Sequence, residues 1–239
     1  MAEILGIAPP KIVARCHPAL EAVLPKPVLA AEALPGWLRE MPSEVESATL
    51  GGERVRTLKH CPPLIDALSL GLLVPLAADL TVTGGEIEWD WDPPIVPDQL
   101  MSRAPVGLHV PEQAAGSPLP VGEGFVVKFM NFWTLQAPEG WSLLFTHPLN
   151  REDLPFRTLA GVVQCDRFAD GLVHFPALWT DPGFEGVLPA GTPVAQAIPV
   201  PRLPAGLETA VMDDAAASRL REMQEALGKE RGVYRKLRG

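Results

Sequence analysis

Short apolar runs with a period of two dominate the second half of the chain, and most are closed by proline, glycine or an acid. Successive side chains on a strand point to opposite faces, so this alternation predicts half-buried strands. "GFVVKFMNFWTLQAP" (124–138) reads as one strand, Pro138-Glu139-Gly140 as a turn, and "WSLLFTHP" (141–148) as the returning strand. "REDLPFRTLA" reads as a loop leading into the strand "GVVQC", and "LVHFPALW" as another strand. "GVLPAGTPVAQAIPVP" holds a turn at Pro189-Ala190-Gly191 and then a closing strand.

Upstream, "VRTLKHCPPLIDALSLGLLVPLAADLTV" passes from an alternating pattern through a Pro-Pro start and a short helix or turn, Leu64 to Ser69, into a strand. "GGEIEWDWD" sets Glu86, Glu88, Asp90 and Asp92 against Ile87, Trp89 and Trp91. That period puts the tryptophans on one face of a strand and an acidic row on the other, a solvated face or an acidic metal-binding row. Residues 93–124 are loop-rich, with one short strand at Val106–Val110. After residue 212 the period changes. Asp213 is placed to cap a helix, Leu220, Met223 and Leu227 recur at helical spacing, and Gly228 is placed to stop it. The chain thus divides into an irregular arm over residues 1–50, a β-sandwich over 51–212, and a docked helix with a basic tail over 213–239. In the arm, Trp37 and Leu38 of "LPGWLREMP" are the residues expected to lock onto the main body.

Composition narrows the class. Twenty-seven of 239 residues are proline, about twice the usual ~5%, while the hydrophobic fraction is an ordinary 47%. Dispersed prolines interrupt helices and central ladders, which favours short strands joined by irregular loops. The expected fold is therefore all-β, a sandwich, barrel or jelly roll. A net charge of −9 argues against general nucleic-acid binding, which needs a cationic face. The first residues resemble neither a signal peptide nor a membrane anchor, so the expectation is a cytoplasmic protein with no membrane partner. Cys16, Cys61 and Cys165 lack metal-site spacing and read as reduced thiols.

The segments "APEGWSLLFTHPLNR", "GVVQCDRF" and "AGTPVAQAIPV" resemble the core of dUTPases and dCTP deaminases, across about residues 125–200. The resemblance implies a dUTPase-like or jelly-roll barrel, a nucleotide-like ligand and a homo-oligomer. In such enzymes a hairpin aspartate orients a water. Gln164 stands at that position and cannot accept a proton as a general base. Phe168 corresponds to the aromatic that packs on the deoxyribose, and Asn150 and Arg151 replace a Pro-Arg-Ser-Gly segment. Over most of its length the chain also resembles a family of phage and bacterial proteins carrying "KHCPPLIDAL", "WSLLFTHPLNR", "GTPVAQAIP" and "GVYRK". That second resemblance implies no particular activity.

Candidate chemistry comes from residue types. Arg151, with Asn150 and His147, offers donors to a phosphate or carboxylate, or else pairs with Glu152 or Asp153. Asp166 and His147 are the candidate acid and base. A pocket formed by Asn150, Arg151, Gln164, Asp166 and Phe168 would then bind a small anionic ligand, with no cofactor assigned. His147, Asp166 and His174 form the alternative, a two-His-one-carboxylate iron site of a jelly-roll oxygenase. His60, and His109 with Glu112, are more isolated candidates. Gln196 sits mid-strand, where its amide needs a partner. A further alternative is a non-catalytic assembly or interaction protein in which these residues are turns and loop locks.

Overall fold

The computed structural model describes residues 10–96, 102–119, 126–230 and 232–238. The first residues of the arm, part of the 93–124 loop and the start of the 124–138 strand lie outside them. Residues 10–202 form one unit, and those from Leu203 onward form another. In chain order the strands of the first unit begin with β1 (Val13–Arg15), β2 (Val28–Leu29), β3 (Glu44–Ser47), β4 (Glu53–Arg56) and β5 (Leu72–Pro75). There follow β6 (Leu80–Thr83), β7 (Glu86–Glu88), β8 (Val106–His109), β9 (Val126–Phe129), β10 (Thr134–Gln136) and β11 (Trp141–Thr146). The last are β12 (Phe156–Thr158), β13 (Gly161–Val163), β14 (Phe175–Trp179), β15 (Gly186–Leu188) and β16 (Pro193–Pro201). Two helices join them, α1 (Gly36–Glu40) and α2 (Pro62–Ser69). The fold is all-β, and every strand pairing is antiparallel.

Two sheets make the body, one ordered β13-β11-β16-β5-β2 and the other β12-β14-β9-β8. Their apolar faces meet in a single core to which Val74, Leu143, Phe145 and Ala197 come from the first sheet, and Val127, Phe129, Phe156 and Phe175 from the second. The Phe145 and Phe175 rings lie 5.3 Å apart between the sheets, and the Phe129 and Phe156 rings 4.6 Å apart. Each such side chain removed from water contributes roughly 1.5–3 kcal/mol. Residues expected as an irregular arm form strands, of which β2 joins a body sheet and β1 a separate two-stranded one. β1 pairs with β10, β2 forms an edge of the five-stranded sheet, and Leu38 of α1 is buried.

β16 is buried continuously from Val194 to Ile198, as expected of a central strand. α2 abuts it, because the Gln196 amide donates to the carbonyls of Ala67 and Leu70. The joint between α2 and β5 is Gly71, with φ +72°. A Cβ there would meet the Ala197 carbonyl oxygen at 2.2 Å, so only glycine lets the two backbones approach this closely.

Three expectations fail for local reasons. The run expected as one strand over 124–138 is two, β9 and β10. Asn131 breaks it by donating to the Trp133 carbonyl and accepting from the Trp133 N–H. The alternating "GGEIEWDWD" strand ends at Glu88. Its tryptophans do not share a face, since Trp89 is exposed whereas Trp91 packs edge-on to Phe132. In the C-terminal unit, α3 (Asp214–Lys229) is capped by Asp213, whose carboxylate accepts the Ala216 N–H. Gly228 does not stop it, because the Lys229–Glu225 pair and the Glu230 N–H to the Ala226 carbonyl carry the last turn. Leu220, Met223 and Leu227 of α3 are exposed. A final helix, α4, spans Val233–Arg238.

Candidate functional site

All the predicted site residues but His174 fall at the two ends of β11. At its Trp141 end, the bidentate fork of Arg202 grips Asp166. Asp166 also accepts the Gly140 N–H at 3.0 Å, and Arg202 donates to the Trp141 carbonyl at 3.0 Å. The Asp166 side chain is only 6% exposed. The Arg202 fork holds its carboxyl well below the usual carboxylate range. Both carboxylate oxygens are thus occupied, and Asp166 ties the turn before β11 to the end of β16. Cys165, beside it, is fully buried, and burial pushes its thiol up to about 11. That thiol is not a thiolate nucleophile at neutral pH. Gln164 and Phe168 are exposed on the connection from β13 to β14, which lie in different sheets, so the expected hairpin does not form. The far end of the Phe168 ring packs on Gly171, where a Cβ would sit 2.1 Å from a ring carbon.

The other end carries the loop Pro148–Leu154. Its backbone is fixed at several points. The Gln196 side chain, paired across from Thr146, accepts the Leu149 N–H at 2.8 Å. Asn150 adopts φ +57°, a left-handed conformation that asparagine tolerates. His147 receives the Thr158 N–H on Nδ1 and reaches the Arg151 carbonyl with Nε2 at 3.0 Å, an arrangement that fixes the Nε2–H tautomer. Burial lowers the His147 pKa, which keeps the ring neutral. Both ring nitrogens serve the backbone, so His147 is a cross-link within the loop.

Arg151 is different. Of the five N–H donors of a guanidinium, its Nε and one Nη meet the Asp153 carboxylate at 2.8 and 2.9 Å. Burial works against ionisation of Asp153, but the Arg151 fork outweighs it and the carboxyl titrates below its ordinary value. The Trp37 side chain of α1 lies near the Asp153 carboxylate. Among the described residues no protein group meets the remaining Nη edge. Arg151, only 14% exposed, lines a groove of about 250 Å³ with Pro25, Lys26, Val28, Leu73, Pro75 and Pro193.

β11 is six residues long, so roughly 20 Å separate its two ends. Arg151 and Asn150 therefore do not share a pocket with Asp166, Gln164 and Phe168, a correction to the single site expected. His174, whose Nδ1 accepts the Asn131 N–H, stands apart from both. Among the described residues no three His, Cys, Asp or Glu side chains are grouped as a metal would require, which removes the His147, Asp166, His174 iron site and the acidic row as a metal ligand set. His109 meets Gln113 rather than Glu112. The roles of Lys26 and Trp37 beside Arg151 carry no signal in the sequence, because both lie more than a hundred residues before it. No spacing rule links them to it.

No model of a known protein family matches the chain, and no curated protein matches it. Among the described residues no helix is long and apolar enough to cross a membrane.

Proposed function

We propose that this protein binds a small anionic ligand in the groove of Arg151 and Lys26, and that its two-sheet body is of the dUTPase-like or jelly-roll kind. The observation that carries the reading is the half-used guanidinium. Asp153 fixes one edge, the Nη1–Nη2 edge has no protein partner among the described residues, and Arg151 lines a concavity; two Nη donors on one edge are what a carboxylate or phosphate accepts. A pre-oriented fork loses little entropy on binding. The reading is one of binding rather than turnover, since Asp166 and His147 spend their hydrogen bonds on Arg202 and the backbone. Titration calorimetry of the full chain against phosphate, nucleotides and simple carboxylates tests it. At least one anion should bind, with affinity falling at least tenfold in Arg151→Ala. No heat from any of them would end the reading.

The C-terminal unit favours a second reading, an interaction module. Ala216, Leu220, Met223 and Leu227 follow the four-three-four spacing of a helix-pairing seam, and the three large ones are exposed. Light scattering of wild type and Leu220→Glu decides whether that seam self-associates.

A further inference from the structure

Building on the anion site just proposed, we infer that its ligand is a small monocarboxylate with an apolar body, and not a nucleotide. Charge and wall chemistry carry the inference. The groove holds two cations, Arg151 and Lys26. Asp153 neutralises the first by its bidentate pair, which leaves a single net positive charge to face the ligand. Glu21 lies 3.9 Å from Lys26, but both side chains are exposed, so this loose pair leaves most of the lysine's charge in place. A polyphosphate carrying three or four negative charges would find one uncompensated cation on a protein whose net charge is −9. Repulsion would then oppose it. A monoanion matches the count.

The walls define the body attached to the anion. Pro25, Val28, Ala33, Leu73, Pro75 and Pro193 present apolar surface, and among the described residues no aromatic ring lines the groove for a base to stack upon. A nucleobase would bury its polar edge against these residues without partners, at a cost an alkyl or phenyl group avoids. Size agrees. About 250 Å³ is below the ~300–1,000 Å³ that accommodates drug-sized ligands. The free edge of the Arg151 fork is planar and offers two parallel N–H groups, the complement of a carboxylate. The ligand places its carboxylate on that edge and its apolar body along Val28, Leu73 and Pro75.

The test is a thermal-shift series on the full chain with 4-methylpentanoate and phenylacetate, their neutral amides, inorganic phosphate, a nucleoside monophosphate and a nucleoside triphosphate. At a hundredfold excess over Kd the carboxylates should raise the Tm by roughly 5–10 °C, and the amides should not. Arg151→Ala should abolish the shift. Should that variant fold poorly, Val28→Glu, at an exposed position of the groove wall, should abolish it by repelling the carboxylate while the protein stays folded. A shift from phosphate or a nucleotide with none from the carboxylates overturns this inference and leaves the anion site standing. No shift from any of them overturns both. A carboxylate shift that survives Arg151→Ala and Val28→Glu overturns the location.

Discussion

The two ends of β11 carry the same kind of ion pair and put it to opposite uses. At the Trp141 end the Asp166 carboxylate is fully engaged and takes the Nη1–Nη2 edge of Arg202. Asp166 gives its oxygens to Arg202 and Gly140, and Arg202 spends further capacity on a backbone carbonyl. At the Thr146 end Asp153 takes the Nε–Nη edge of Arg151 and leaves the Nη1–Nη2 edge without a protein partner, among the described residues, on a residue that lines a groove. Residue type does not separate the two, since each is an arginine–aspartate fork beside a turn. What separates them is the hydrogen-bonding capacity left over once the fold has been served. A closed fork is a buckle, and a half-open one is able to bind.

The change that most damages the open end is expected at Gln196. Its side chain is buried and serves three backbone groups at once, the Leu149 N–H and the carbonyls of Ala67 and Leu70. Gln196→Ala leaves all three in an apolar interior, so urea unfolding should show a loss of about 3 kcal/mol. The Asn150–Arg151 loop hangs from Leu149, so the same variant should bind the groove ligand more weakly at temperatures where it is still folded. Unchanged stability would mean that water replaces the amide. The contrast between the ends would then no longer rest on a rigid loop.

A smaller effect is expected from opening the closed end. Asp166→Asn keeps the shape and removes the charge that Arg202 holds. Because Arg202 is partly exposed, water solvates the released guanidinium and the Tm should fall less than in Gln196→Ala. The pH dependence is diagnostic. The folded Asp166 carboxyl titrates below its unfolded value of ~3.9. Its contribution is therefore fully present above that value and is lost as the pH drops below it. Wild type should lose stability below pH ~4 more steeply than Asp166→Asn. Ligand binding at neutral pH should be the same in both, since the groove lies at the far end of the strand. A binding defect in Asp166→Asn would join the two ends into one site and erase the distinction.

Much of this frame was legible from local pattern. The Pro138-Glu139-Gly140 turn closes with the Trp141 N–H on the Pro138 carbonyl, and the Asp213 cap forms where Asp precedes an apolar helical period. The split at Asn131 was also locally encoded, since an asparagine inside an apolar run competes for the backbone with its own amide. Partners distant in sequence were not legible. Arg202 lies 36 residues beyond Asp166, and Pro25 to Ala33 reach the groove only because β2 pairs with β5. Hydrophobic period reports which face of a strand is buried. It is silent on which strand lies beside it, and the site depends on that adjacency. For Arg151 the sequence offered two neighbouring partners, Glu152 or Asp153, and the structure takes Asp153.

The smallest expected effect concerns His147, and it sharpens the claim that the Arg151 loop is held by a neutral ring. Nδ1 accepts from Thr158, so a proton placed there turns an acceptor into a donor facing an N–H group. Burial already lowers the folded pKa below the unfolded value of ~6.5. The neutral ring's contribution is thus complete above pH ~6.5 and declines as the pH falls through that value toward the folded pKa. His174 is lowered in the same sense, by burial and by Lys128, and adds to the wild-type decline. Between pH 7.5 and 5.5 the Tm should fall by roughly 2–4 °C in wild type. It should fall by about half as much in His147→Gln, whose amide donates and accepts without titrating. Ligand affinity should track the same curve in wild type, because the ring that loses Thr158 is the one that holds the Arg151 carbonyl. A flat affinity across that range, with the stability slope present, would uncouple the histidine from the open fork and leave Asp153 and Gln196 as its only supports.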